Sequence, residues 1–170
     1  MKKRVFTLIS GSILIASIVT VATFLVWWRY TPAIPNSVQF SAASEEEALL
    51  RFLLSRNYSN FASKGYVIAV QVDGHSPSQE TLESIKADYP LVKHYSSITF
   101  DNAGQSLKEH ATSCPAVVFS VRHNSAAMYD KSAIECSWYH SVISSKTEFV
   151  HASKKWRKWV VTPMLMSKVS

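Results

Sequence analysis

The most extended feature of the hydropathy pattern is an uncharged apolar run at residues 5–28, VFTLISGSILIASIVTVATFLVWW. At about 1.5 Å rise per residue it would form a helix of about 36 Å, against a hydrocarbon core of about 30 Å. Lys2, Lys3 and Arg4 precede the run, and Trp27, Trp28 and Tyr30 close it. Cations before and aromatics after predict a single-pass anchor with its N-terminus in the cytoplasm. The run is longer than a signal-peptide core, and two tryptophans and Arg29 stand where a small-residue cleavage site would be. This pattern divides the chain into a cytoplasmic start at 1–4, a transmembrane anchor at 5–28, a tether at 29–43 holding Pro32 and Pro35, and an exported domain at 44–170. The short basic start places it in a bacterial inner (cytoplasmic) membrane with a periplasmic domain. Ser12, Ala16 and Thr20 form a small-residue stripe on that helix. The stripe permits close helix–helix approach, so a homo-oligomer is possible, but without a full G-x-x-x-G pattern it is unsupported.

Beyond the tether the periodicity alternates between helix and strand. Ser44 followed by Glu45, Glu46 and Glu47 reads as an N-cap with a capping box, opening a helix with Leu49, Phe52 and Leu53 inward and ending near Arg56-Asn57. Tyr66 to Val72 is strand-like and closes on the turn signal Asp73-Gly74. Ser76-Pro77-Ser78 starts a second helix with Leu82 and Ile85 inward, ending before Pro90. Further strands are predicted at 93–100, 116–122, 133–143, 146–152 and 157–165, while 105–113 is polar and ambiguous. Helices early and strands late predict an α+β domain with two helices and a mainly antiparallel sheet of five to six strands.

Composition narrows the chemistry. The chain carries 18 Lys+Arg against 12 Asp+Glu. Lys2, Lys3, Arg4 and Arg29 belong to the apolar segment and all acids lie beyond it, so the remainder is nearly balanced. The basic pI therefore gives no case for nucleic acid. The six histidines are scattered, with no H-E-x-x-H, and neither a Walker loop, a G-x-G-x-x-G nor a G-x-S-x-G elbow is present. No catalytic residue, metal or cofactor is indicated. If the strands at 116–122 and 133–143 form a hairpin centred on Ser125, Cys114 and Cys136 face each other across the ladder, and an oxidising compartment would join them in a disulfide. Trp138 and His140 share a side of their strand, and with His94 they form a candidate ligand cleft if the sheet curves around them. Lys154, Lys155, Arg157 and Lys158 interleave with Trp156 and Trp159 where two strands should meet. They are a candidate contact for an anionic surface, or simple edge protection.

From about Gly65 to the end, the strand YVIAV, the helix SQETLESIKADYP leading into VK, the strand CPAVVFSV, the aromatic WYH and the terminal KWVVTPMLMS resemble a family of small, exported, uncharacterised bacterial proteins. The chain departs from that family at its glycine-rich turn, where Cys136 to His140 stand instead. The resemblance implies an exported α+β module and carries no assigned activity. The sequence thus predicts a membrane-anchored, non-enzymatic module binding a protein or cell-envelope partner. Its rival is an envelope enzyme or small-ligand protein with a cleft near Trp138–His140. A convergent pocket would favour the rival. A sheet face closed by core side chains would favour the binding module.

Overall fold

The computed structural model describes residues 37–101, 103–123 and 132–169, the last five by backbone alone. Among the described residues nine strands and two α-helices follow one another: β1 (Val38–Phe40), α1 (Glu45–Ala62), β2 (Val67–Val72), α2 (Gln79–Asp88), β3 (Val92–His94), β4 (Ile98–Phe100), β5 (Leu107–Glu109), β6 (Ala116–Arg122), β7 (Ile134–Ser141), β8 (Ser144–Lys155) and β9 (Lys158–Val169). Seven strands make one sheet in the order β1-β9-β8-β7-β6-β2-β3, and β4 with β5 forms a separate hairpin.

Both helix starts follow from their caps. Ser44 accepts a hydrogen bond from the Glu47 amide at 3.1 Å, and the Glu47 carboxylate reaches back to accept from the Ala43 amide at 2.9 Å. Ser78 caps α2 by accepting from the Thr81 amide at 3.2 Å. The first helix runs past the expected stop at Arg56-Asn57 because Phe61, in its last turn, is buried in the core. Glu47 also accepts from Arg51 Nε at 2.9 Å and from the Ser84 hydroxyl at 2.7 Å, which joins the start of α1 to α2. Burial raises the Glu47 carboxyl, but the hydrogen bonds from Ser84, Ala43 and Arg51 outweigh it and hold the group below its ordinary value.

The expected fold is corrected on three points. First, the sheet is mixed and larger than expected. β2 pairs in parallel with both β3 and β6, and the pairs from β6 through β7, β8 and β9 to β1 are antiparallel. The front of the domain is a β2-α2-β3 unit, in which the connecting helix lets neighbouring strands run the same way. The runs VIAV and AVVF are apolar without alternation because β2 and β6 are buried on both faces. Second, part of the predicted tether is sheet: β1 pairs with β9 through Val38–Val161, Gln39–Val160 and Phe40–Trp159. Third, the run at 5–28 lies outside the described residues, and no helix among the described residues is long and apolar enough to cross a membrane. The single-pass anchor, its inner-membrane placement and the layout of a helix followed by a domain have no support in the fold, which is mostly sheet.

One face of the main sheet packs on α1, with Leu49, Phe52, Leu53 and Phe61 meeting Ile68, Val70, Val117, Phe119, Val121 and Cys136. Part of the opposite face is covered by the β4–β5 hairpin, where Leu107 joins Ala69, Ala116 and Val118. Further along that face Gln71 donates to the Ser120 hydroxyl and the Tyr139 phenol, both at 3.1 Å.

Candidate functional site

The disulfide is the first site expectation to fail. Both cysteines are free. In the observed register Val121, not Cys114, stands opposite Cys136. Cys114 lies seven residues before Val121, about 23 Å of extended chain at 3.3 Å per residue, whereas a bridge needs Cα atoms within about 7 Å. The expected hairpin centre was displaced along the chain, so the pairing built on it cannot form. Burial, and then the Glu148 and Glu135 carboxylates, push the Cys136 thiol far above its usual range, which leaves it inert.

The residues of the expected ligand cleft share one face and, in part, one row. Cross-strand partners run His94–Val70–Phe119–Trp138. His94 is therefore three strands from Trp138, about 14 Å at the ordinary strand spacing, with core side chains between them. Its Nε2 meets Gln79 Oε1 at 3.0 Å instead. Trp138 and His140 are stacked with ring centroids 6.2 Å apart. Phe61 from the end of α1 packs edge-on against Trp138 at 5.0 Å, and Tyr66 against His140 at 5.6 Å. Trp138 and His140 are thus half-buried, with Trp138 packed against the core and both rings flanked by aromatic neighbours.

Two other features occupy the end of the sheet where the parallel strands finish. The first is a cleft of about 500 Å³ lined by the start of α1 (Ala43 to Glu47), the start of α2 (Ser78, Glu80, Thr81, Ser84) and His123 just after β6. Carboxyl ends of parallel strands are the usual place for a binding crevice in such sheets. His123 is fixed there: its amide donates to Asp73 Oδ1 at 2.7 Å, and its Nδ1 lies 2.8 Å from Asp73 Oδ2. Asp73 sits at φ +49° beside Gly74 in the turn after β2. Burial raises the Asp73 carboxyl, but the side-chain and backbone hydrogen bonds from His123 outweigh it and hold it below its ordinary value. Glu45, Glu46 and Glu80 give the cleft an acidic rim, and among the described residues none of them has a Lys or Arg partner within 4 Å.

The second feature is the β8–β9 hairpin. β7 begins at Ile134 opposite Val150, while β8 continues to Lys155. Five residues therefore overhang that neighbour, about 16 Å of strand. Lys155 pairs with Lys158 across a two-residue turn of Trp156 and Arg157. Trp156 holds φ +60° and is 99% exposed. This is the first central position of a type II′ turn, which glycine ordinarily fills. Lys154, one of the predicted cations, lies over the Trp159 ring at 5.7 Å. Lys154, Lys155, Arg157 and Lys158 thus sit at the hairpin tip, flanking the exposed Trp156 along the chain. The sequence motif shows both the cations and the tryptophans, and the structure adds the exposed turn position of Trp156. Its signal was legible as a tryptophan in a two-residue turn position. The acidic cleft left only a distributed signal, because Glu45, Glu80, Asp73 and His123 meet through the sheet topology.

In comparisons with known proteins, no family model matches the chain, and neither a curated protein nor a solved structure is similar to it.

Proposed function

We propose that the chain is a non-enzymatic binding module that docks on a macromolecular partner of acidic surface through the tip of the β8–β9 hairpin. The observation that carries this reading is Trp156. A non-glycine residue in the left-handed region costs about 1–2 kcal/mol, and leaving a large apolar side chain in water forgoes about 2–3 kcal/mol of burial. Asn-Gly or Gly at this turn would avoid both costs. Tryptophan and arginine are the residues that most often anchor protein interfaces, and the four flanking cations supply steering toward an acidic surface. The packing of Phe61 and Tyr66 on Trp138 and His140 also favours the binding reading over a cleft enzyme at that strand.

A photoreactive phenylalanine analogue placed at position 156, and at the exposed positions Glu83 and Lys108 for comparison, tests this reading. Capture of a defined partner from position 156, lost when Lys155 and Lys158 are both changed to Glu, is the expected result. Equal labelling from all three positions, or none from 156, would overturn it.

A further inference from the structure

We infer that the partner of the hairpin tip is a second copy of the chain, and that the tip enters the acidic cleft at the starts of α1 and α2. This rests on the docking role proposed for the tip. Two independent features of one molecule complement each other. The tip presents an unburied indole with Lys154, Lys155, Arg157 and Lys158, and no acid follows Glu148 to the end of the chain. The cleft presents Glu45, Glu46 and Glu80 around about 500 Å³, room enough for an indole. Within its own chain Trp156 touches almost nothing, so the tip does not occupy its own cleft.

The topology also allows a two-fold exchange. β8 is antiparallel to β7 and β7 to β6, so the hairpin tip points to the same end of the sheet as His123 after β6. The helix starts that line the cleft with His123 are at that end as well. Tip and cleft at one end let two copies exchange them reciprocally about a two-fold axis, which closes the assembly as a dimer instead of an open filament. Each exposed tryptophan brings about 150–250 Å² to the contact. Even with the flanking cations the total falls at the small end of specific interfaces, so the dimer is weak and depends on concentration and salt.

Sedimentation of the full-length chain over a range of concentrations reads the assembly directly. The expected result is a monomer–dimer equilibrium weakened about tenfold or more by Trp156→Ser, by the pair Lys155→Glu and Lys158→Glu, and by high salt. The reciprocal pair Glu46→Lys and Glu80→Lys weakens it similarly. Combining the two pairs in one chain restores it. Glu46→Gln with Glu80→Gln, checked by circular dichroism, covers the case in which lysines at two helix starts impair folding. The photoreactive residue at 156 should then crosslink to peptides of a second copy containing residues 43–47 or 78–84. A monomer at every concentration, or a dimer indifferent to all tip substitutions, overturns the self-docking inference. So does a crosslink from 156 to a different protein or to anionic lipid; capture of a different protein leaves the docking role of the tip standing. Absence of any crosslink from 156 removes both.

Discussion

Trp138 and Trp156 are the same amino acid in opposite circumstances. Trp138 lies on β7 between Phe61 and His140, and its ring contacts complete a core cluster. Trp156 lies in a two-residue turn with its indole in solvent and its backbone at φ +60°. In the first case local preference and packing agree for the ring, an aromatic on a strand set against a helix, although its Nε1 is buried without a hydrogen-bond partner among the described residues. In the second they conflict, because neither the turn nor the packing explains the choice of residue. Conflicts between a local rule and its residue collect at functional sites. The comparison therefore separates the tryptophan that holds the fold from the one available for binding.

The largest expected effect is on the core side of this contrast. Phe61→Ala should cost about 3–5 kcal/mol, since Phe61 touches Phe119, Trp138, Tyr66 and His140. Urea unfolding measures it, and a loss below about 1 kcal/mol would mean that the aromatic face is not packed as described. Next in size is the polar hub beside α1. Glu47→Ala should cost about 2 kcal/mol by leaving Arg51 Nε and the Ser84 hydroxyl without this acceptor, although Arg51 keeps Asp88 and the Ser84 carbonyl. The same group sets a pH dependence. Glu47 and Asp73 are held below their ordinary values of 4.5 and 3.8, so their contribution is present above those values and is lost as pH falls through the lower folded-state values. Unfolding midpoints that are constant across the acid range would contradict both networks.

On the tip side the sign reverses. Trp156→Gly should leave stability unchanged or raise it by about 1 kcal/mol through relief of the left-handed strain, while abolishing docking. A clear loss of stability would show Trp156 to be structural and would collapse the contrast. The smallest effect belongs to Cys114→Ser, expected within about 0.5 kcal/mol because no bridge is present. A loss near 3 kcal/mol under oxidising conditions would be the mark of a disulfide. In alkylation of the native protein, partly exposed Cys114 should react and buried Cys136 should not until unfolding.

Much of the fold was legible where local signals are strong. Ser44 and Ser78 cap the two helices, Asp73-Gly74 turns the chain after β2, and the segments at 116–122 and 133–143 are strands. What failed was long-range. Strand order and direction depend on which elements meet in three dimensions, and the uninterrupted apolar runs of β2 and β6 were the available sign of parallel neighbours. The register error that aligned Cys114 with Cys136 is of the same kind: a hairpin centre guessed within a long connection carries its error into every pair. The three-residue strands β1 and β5 were hidden by their length, and the stretch 93–100 is two strands, β3 and β4, around a helical turn at Tyr95–Ser97. At the candidate site the hairpin cations are contiguous in sequence and therefore visible, whereas the cleft joins residues from 43 to 123 and was not.

The overhang of the β8–β9 hairpin also limits how its length can change over generations. Successive residues of a strand face opposite sides of the sheet. Deleting one residue from each arm would turn Trp156 to the other side and bring a pair of the other hydrogen-bonding type next to the turn. Only the loss or gain of two residues per arm preserves its aim. Length variants of this hairpin should accordingly differ by four residues in total where the tip keeps both its aim and its two-residue turn.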